Sequence, residues 1–308
     1  MRGGLRLEET ERINPRSMGI DRRSTLEIIR IINREDRRVP SAVAKQLNNI
    51  ARIVDGVVDA LRAGGRVFYV GAGTSGRLGV LDASEMPPTF GVSPLMFQGL
   101  IAGGSAALTR SVEAAEDDEE SAVRELMRRG FSRGDVLIGL SASGGTPYVL
   151  AAARKAKQIG ARVFGITCNA KAPLLWIADC AVVLRVGPEV IAGSSRMKCG
   201  TAQKMVLNMI STASMIRLGK VHGNVMIGLQ PKSRKLRDRA IRIISQVARV
   251  EPDVAGEMLR RSHGDVRCAI VMARHGVSRH RAKSLLRRAR GDPDKVATIV
   301  GRGRLGDG

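Results

Sequence analysis

The chain has 308 residues, and its 44% hydrophobic content is enough to bury a large core and excludes an intrinsically disordered protein. No run of about 18 apolar residues occurs, and MRGGLRLEETERINPRS lacks the apolar stretch of a secretory signal, so we expect a cytoplasmic protein without a membrane span. The formal charge is +22, but aromatic residues are only 3%, so we interpret the charge as a solvated, arginine-rich surface and do not expect nucleic acid as a partner.

The first 40 residues predict a helical lead-in. The stretch TLEIIRIINRED places apolar residues at helical spacing directly after Ser24, which is a favourable N-cap. A second amphipathic helix is predicted to begin at Pro40 and Ser41, to run to about Leu61 and to end before Gly64 and Gly65.

Five short apolar runs follow: RVFYV, PLMFQGLI, DVLIGLS, RVFGITC and CAVVLRV. They alternate with helical patterns such as PYVLAAARKAKQIG, and they are nearly continuous in apolar residues, as is typical of strands covered on both faces. The sequence therefore predicts an α/β fold, a three-layer sandwich with a five-stranded parallel sheet. In such a fold the functional residues lie at the carboxyl ends of the strands.

The remainder of the chain predicts helices. A Met-rich helical stretch after Gln203, MVLNMISTASMIRLG, is apolar all round and indicates a core element or a subunit contact. Residues 223–231 are predicted to form a loop, and from about Leu236 short basic helices follow. We expect three domains: a helical lead-in (1–40), a domain that contains the parallel sheet (41–230) and a small helical module (231–308).

Two loops after predicted strands are rich in glycine and hydroxyl groups. GAGTSG has the spacing of a dinucleotide fingerprint, but such a site needs an acidic residue about 20 positions on, and Gly91 stands there in a proline-rich loop. The second loop, SASGGT, also precedes a helix, and such pairs offer amides and hydroxyls to a monoester phosphate. Either loop alone is also compatible with a plain strand-to-helix turn. The predicted phosphate-binding residues are Gly73, Thr74, Ser75 and Gly76 in the first loop, and Ser141, Ser143, Gly144 and Thr146 in the second.

No cofactor or metal is expected. The four cysteines, Cys168, Cys180, Cys199 and Cys268, have no paired spacing typical of zinc sites and lie in apolar or helical patterns, so we predict buried, reduced thiols.

GAGTSGRLG together with SASGGTPYV resembles the sugar isomerase (SIS) domain, which binds phosphosugars. Longer blocks are similar to one group within it, the N-acetylmuramic acid 6-phosphate etherase family: STLEIIRIINRED, LDASEMPPTFG, LIAGG, VEAAED, GSSRMKCGTAQKMVLNM and GKVHGNVM. The chain departs from the family pattern at Gly145, where an arginine is expected, so contacts in that loop differ.

The resemblance implies a lyase that cleaves the D-lactyl ether by elimination followed by addition of water, in the recycling of peptidoglycan amino sugars. It assigns Glu85 as the acid that protonates lactate and later activates water, and Glu116 as the partner acting at C2. We expect partial burial of Glu85, which would raise a carboxyl pKa. Without the resemblance, Glu116 would be interpreted as part of a solvated acidic run, and its choice over Glu113 rests on the VEAAED register.

A further group of predicted contacts precedes the Met-rich helix: Ser194, Ser195, Arg196 and Lys198. Their amides and cations could bind a carboxylate such as that of the lactyl group, and a helix-capping role is equally compatible with the sequence. His222 is predicted to pack in a loop or at a subunit interface, with a substrate contact as the alternative.

Residues 250–289 resemble the ubiquitin-associated-like module of this etherase family, and we predict three short helices there that support packing or dimerisation. Homodimerisation is expected, because SIS domains commonly pair and the Met-rich helix offers an apolar face. A rival hypothesis is a phosphosugar-sensing regulator without catalysis, although residues 1–60 are too short and wrongly patterned for a preceding DNA-binding domain.

Overall fold

The computed structural model describes residues 9–229, 231, 233–289 and 291–303. The strands are β1 Val67–Gly71, β2 Phe97–Ile101, β3 Val136–Leu140, β4 Arg162–Thr167, β5 Cys180–Val183, β6 Val221–His222 and β7 Val225–Met226. The first eight helices are α1 Thr25–Asp36, α2 Arg38–Ala44, α3 Leu47–Arg62, α4 Gly73–Phe90, α5 Glu119–Arg128, α6 Pro147–Ile159, α7 Leu174–Ile177 and α8 Lys198–Arg217. The others are α9 Arg234–Ala248, α10 Pro252–Arg261, α11 Val266–His275, α12 Arg279–Arg288 and α13 Pro293–Gly303.

The chain divides into two compact units. The first contains the residues up to Ser84 together with Pro94–Ser211, and the second contains Glu85–Ser93 together with the residues from Thr212 onward. The three-domain division expected from the sequence stays a prediction. In the described part of the chain no helix is long and apolar enough to cross a membrane.

All five predicted strands of the first unit are confirmed. They form one parallel sheet in the order β2-β1-β3-β4-β5, so the chain moves outward from β1 to β2 and then returns to the other side of β1. Every residue of β1 and β3 is buried, which explains why these strands are apolar without alternation. Helix α6 packs over the sheet with side chains such as Tyr148 and Val149 in a core that includes Phe68 and Leu137.

The helices of the first unit differ from expectation at two places. Ser24 caps α1 through a complete capping box with Glu27, as predicted. The amphipathic stretch after it forms two helices, because Lys45 and Gln46 separate α2 from α3. Helix α4 also continues through Pro87 and Pro88, where a loop was expected. The fixed φ of proline is compatible with a helix, although the missing N–H removes a backbone hydrogen bond.

In its described residues, the second unit contains a short hairpin, helices α9 to α13 and the last turns of α4 and α8. The hairpin pairs Val221 with Met226, so the loop predicted for residues 223–231 begins one strand later than expected. Helices α10, α11 and α12 confirm the three helices predicted for residues 250–289. Together with α9, these helices form two buried apolar clusters, one around Ile244 and Ile270 and one around Val271 and Leu285.

A buried charge cluster fixes the N-terminal segment in the first unit. The carboxylate of Glu35 accepts hydrogen bonds from Lys198 Nζ at 2.7 Å, Asn14 Nδ2 at 2.9 Å and Arg16 Nε at 2.6 Å. Lys198, which is fully buried, also donates to two carbonyls in residues 186–188. Burial raises the pKa of Glu35, but these hydrogen bonds outweigh it and lower the pKa to about 2. The lead-in is therefore part of the first unit's core.

We predict that Lys198→Met lowers the free energy of unfolding by about 3–5 kcal/mol, because it removes one partner of a buried ion pair. Urea unfolding at neutral pH measures the loss. Lys45→Met, which removes an exposed lysine, is the control and should change stability by less than about 0.5 kcal/mol. Equal effects of the two substitutions would contradict a stabilising role for the cluster.

Candidate active site

The candidate site lies where the strand order of the sheet reverses. Strand β1 is flanked by β2 on one side and β3 on the other, and Gly71 at the end of β1 pairs with Leu140 at the end of β3. The two loops that follow these strands therefore leave the sheet side by side. Open α/β sheets bind ligands in the crevice at such a switch point.

The stretch predicted as the first loop, residues 71–76, is mostly helical, because α4 already begins at Gly73. A Cβ on Gly71 would lie 2.7 Å from the nitrogen of Gly76, and one on Gly76 would lie 2.7 Å from the oxygen of Gly71, so both must be glycine for the strand and helix to approach. Gly73 has a φ of 50°. Ser75 donates to Oε1 of the buried Gln203 at 2.8 Å, which joins this loop to α8.

The second loop, residues 141–146, holds its hydroxyl groups together. Ser141 Oγ lies 2.8 Å from Thr146 Oγ1 and 3.4 Å from Ser143 Oγ, and it accepts a hydrogen bond from the amide of Gly144. The amide of Gly145 donates to Ser143 Oγ at 3.1 Å. The four predicted phosphate-binding residues of this loop are thus connected to one another by hydrogen bonds within the loop.

The segment before α8 is only partly free to contact a ligand. The carboxylate of Glu189 accepts from the amides of Lys198 and Cys199 at 3.1 and 2.9 Å, so the start of this helix is already capped by an anion. The ammonium of Lys198 is bound in the cluster with Glu35. Ser194 and Ser195 are half-buried and Arg196 is exposed, and their contacts with substrate stay predictions.

A cavity of about 280 Å³ lies beside the first loop. Gly73, Arg77, Glu113 and Glu116 contribute to its lining, so both candidate carboxylates of the VEAAED block border it. Ala114 lines it as well, and its φ of 55° places a residue with a side chain in the left-handed region, at a cost of about 1 kcal/mol.

Glu85 belongs to the second unit and lies on α4. It is exposed in the protomer, so the partial burial expected from its apolar neighbours is wrong for the single chain. His222 is also in the second unit, where its Nδ1 lies 2.6 Å from Oδ2 of Asp294. His222 therefore lies in strand β6 and not in the predicted loop, and its places at a subunit interface or against substrate stay predictions.

A polar network around Asp82 of α4 was not predicted from the sequence. Asp82 accepts hydrogen bonds from the hydroxyl of Tyr69 at 2.9 Å and from Ser211 Oγ at 3.0 Å. Burial raises the pKa of Asp82 to about 6, against the lowering effects of both hydrogen bonds and of Lys204. The partners are 13 and 129 residues away, so the only sequence signal was an acid in an otherwise apolar helical pattern.

We predict that Asp82→Asn alters the pH dependence of stability. The pKa of Asp82 is raised in the folded state, so protonation favours folding and this contribution is lost as the pH rises through about 6. Between pH 4 and pH 8 the unfolding free energy of wild type should therefore fall by about 2 kcal/mol relative to the variant.

Urea titrations at a series of pH values measure this difference. Asp55→Asn, which neutralises an exposed carboxyl group on α3, is the matched control. If wild type and Asp82→Asn show parallel profiles, Asp82 does not titrate in this range.

Hydroxyl-rich loops at the switch point of a five-stranded parallel sheet define the SIS class of domain. A profile of the glucokinase regulatory protein N-terminal SIS domain matches residues 49–157, and a SIS domain profile matches residues 111–213. The fold is also similar to a phosphoheptose isomerase from Francisella tularensis, with a TM-score of 0.52 and 16% identity, over 63% of this chain and 100% of that one.

Closer relatives identify the family. The N-acetylmuramic acid 6-phosphate etherase of Geobacillus thermodenitrificans is 51% identical over 282 residues, which cover 92% of this chain and 96% of that protein. The etherase of Glaesserella parasuis is 49% identical over 94% of this chain and 95% of its own length. The chain belongs to the N-acetylmuramic acid 6-phosphate etherase family.

Proposed function

We propose that this protein is a carbon–oxygen lyase that converts N-acetylmuramic acid 6-phosphate and water into N-acetylglucosamine 6-phosphate and D-lactate. Within this family, the observation that carries the proposal is that Glu116 and Gly73 line the same cavity beside the first loop. A proton-transfer group and a phosphate-binding loop are therefore adjacent. The near-full-length relatives carry the etherase name, so we propose catalysis and not the alternative of a regulator.

The reaction uses two proton-transfer groups and the open-chain sugar. The C1 aldehyde acidifies the C2 proton, which Glu116 removes while the C3–O bond breaks and Glu85 protonates the departing lactate oxygen. Glu85 then takes a proton from water as the water oxygen adds to C3, and Glu116 returns a proton to C2. Atoms and charge balance without an oxidant or reductant.

The two loops bind the phosphate that substrate and product share. The amides of the first loop lie at the start of α4, where a helix favours an anion, and Ser141, Ser143 and Thr146 supply hydroxyls from the second loop. The internal hydrogen bonds of the second loop exchange for bonds to phosphate oxygens. Gly145 contributes an amide and no side chain, so this chain recognises the phosphate without the expected arginine.

We also propose a cytoplasmic homodimer. Met205 and Met209 of the Met-rich helix are half-buried within the protomer, so they offer less apolar surface than expected. Ile13, Met18, Leu26 and Ile29 of the N-terminal segment and α1 are each more than half exposed, and they support pairing through that face instead. Nucleic acid is not part of the proposal.

We predict that Glu85→Gln lowers the rate of D-lactate release by at least about 100-fold, because an amide cannot donate or accept the transferred proton. Binding of N-acetylglucosamine 6-phosphate should be unchanged, since glutamine keeps the size of the side chain. A coupled D-lactate assay and titration calorimetry measure the two quantities. Near wild-type turnover in Glu85→Gln would contradict the mechanism, and Glu120→Gln serves as the control for an exposed carboxyl group.

A second prediction separates the two glutamates of the cavity. Glu116→Gln should abolish exchange of the C2 hydrogen of N-acetylglucosamine 6-phosphate with deuterium from solvent, because the base at C2 is lost. Glu113→Gln should retain that exchange. Nuclear magnetic resonance of the sugar in deuterium oxide measures both, and the opposite pattern would assign the base to Glu113.

A further inference from the structure

Arg77 lies on α4, directly after Gly76 of the first loop, with its guanidinium held in a fixed orientation. Its Nε donates to the carbonyl of Ala107 at 2.9 Å, and its Nη2 donates to the carbonyl of Arg110 at 3.2 Å. Neither bond uses Nη1. The two carbonyls orient the guanidinium plane but do not neutralise its charge.

The side chain is half-buried and lines the 280 Å³ cavity together with Glu116. Among the described residues it forms no ion pair within 4 Å, although two carboxylates border the same cavity. A half-buried arginine with an open N–H edge is suited to bind an anionic ligand, because a guanidinium forms strong, directional bonds to carboxylate and phosphate oxygens.

The other two candidate cations for a carboxylate are less well placed. Lys198 is fully buried and donates to Glu35 and two carbonyls. Arg196 is exposed, so water competes for its guanidinium.

We propose that Arg77 binds the carboxylate of the lactyl group and thereby selects muramic acid phosphates over other phosphosugars. This inference rests on the proposed function. The substrate carries two anions, and the phosphate on C6 is assigned to the amides of the first loop and the hydroxyls of the second. The lactyl carboxylate is attached at C3, next to the C2 at which Glu116 acts, and Arg77 is the cation that lines the cavity of Glu116. We therefore assign Arg77 to the carboxylate.

The test compares two substrates in each variant: N-acetylmuramic acid 6-phosphate and its analogue with a neutral lactyl amide. Wild type should prefer the acid in kcat/KM by about 100-fold, as expected for loss of a charge-assisted bond in a partly desolvated site. Arg77→Gln should abolish this preference, so that the ratio is about 1. Arg77→Lys should give an intermediate ratio, because lysine keeps the charge but not the two parallel N–H donors of the guanidinium.

Because the preference is a ratio within one variant, a purely structural loss of the bonds to Ala107 and Arg110 would not change it. Arg124→Gln, on the exposed face of α5, is the control and should keep the wild-type ratio. If Arg77→Gln does not fold, the substrate preference of Arg77→Lys still tests the proposal.

Three outcomes would overturn the proposal. One is an unchanged ratio in active Arg77→Gln and Arg77→Lys. Another is an affinity for N-acetylglucosamine 6-phosphate, measured by calorimetry, that falls by about 100-fold in Arg77→Gln, since Arg77 would then bind the phosphate. If wild type releases no D-lactate from either substrate, the proposed function itself fails, and the inference fails with it.

Discussion

The contact between Gly71 and Gly76 sets the geometry of the first unit's functional edge. Neither position tolerates a Cβ, because the end of β1 and the first turn of α4 lie within 2.7 Å of where those atoms would stand. This approach fixes the direction of α4 relative to the strand. It also places Ser75 against Gln203 and Arg77 against the carbonyls of Ala107 and Arg110.

Charged groups inside the first unit contribute to its assembly. Glu35 and Lys198 join the lead-in to the start of α8, and Glu189 caps the same helix through its amides. A buried pair of this kind is costly to desolvate, so its stabilising value depends on the additional hydrogen bonds from Asn14 and Arg16. The anion-binding capacity of α8 is thereby used within the protein.

The sequence predicted the sheet well because fully buried parallel strands carry an apolar signal that does not depend on their neighbours. The helix signals were also local, as the capping box at Ser24 shows. The two loops were found from composition, whereas Glu85 and Glu116 came only from the family resemblance. The burial of Glu85 could not be judged, because exposure depends on which tertiary surfaces cover a helix.

The missed features share long sequence separations. Asp82 and Ser211 are 129 residues apart, and Glu35 and Lys198 are 163 apart, so no local pattern links them. The strained turn at Ala114 was missed for a different reason, since alanine carries no sequence signal for a positive φ.

The self-bonded hydroxyls of the second loop bear on turnover. Substrate and product of the proposed reaction carry the same phosphate. Contacts with that phosphate therefore stabilise the two complexes equally and do not accelerate the chemical step. A loop that must give up the bonds among Ser141, Ser143 and Thr146 before it contacts phosphate gains less from binding than one with open donors. If the second loop binds the phosphate as proposed, we expect it to hold substrate and product less tightly than a loop with open donors, so that the product dissociates faster.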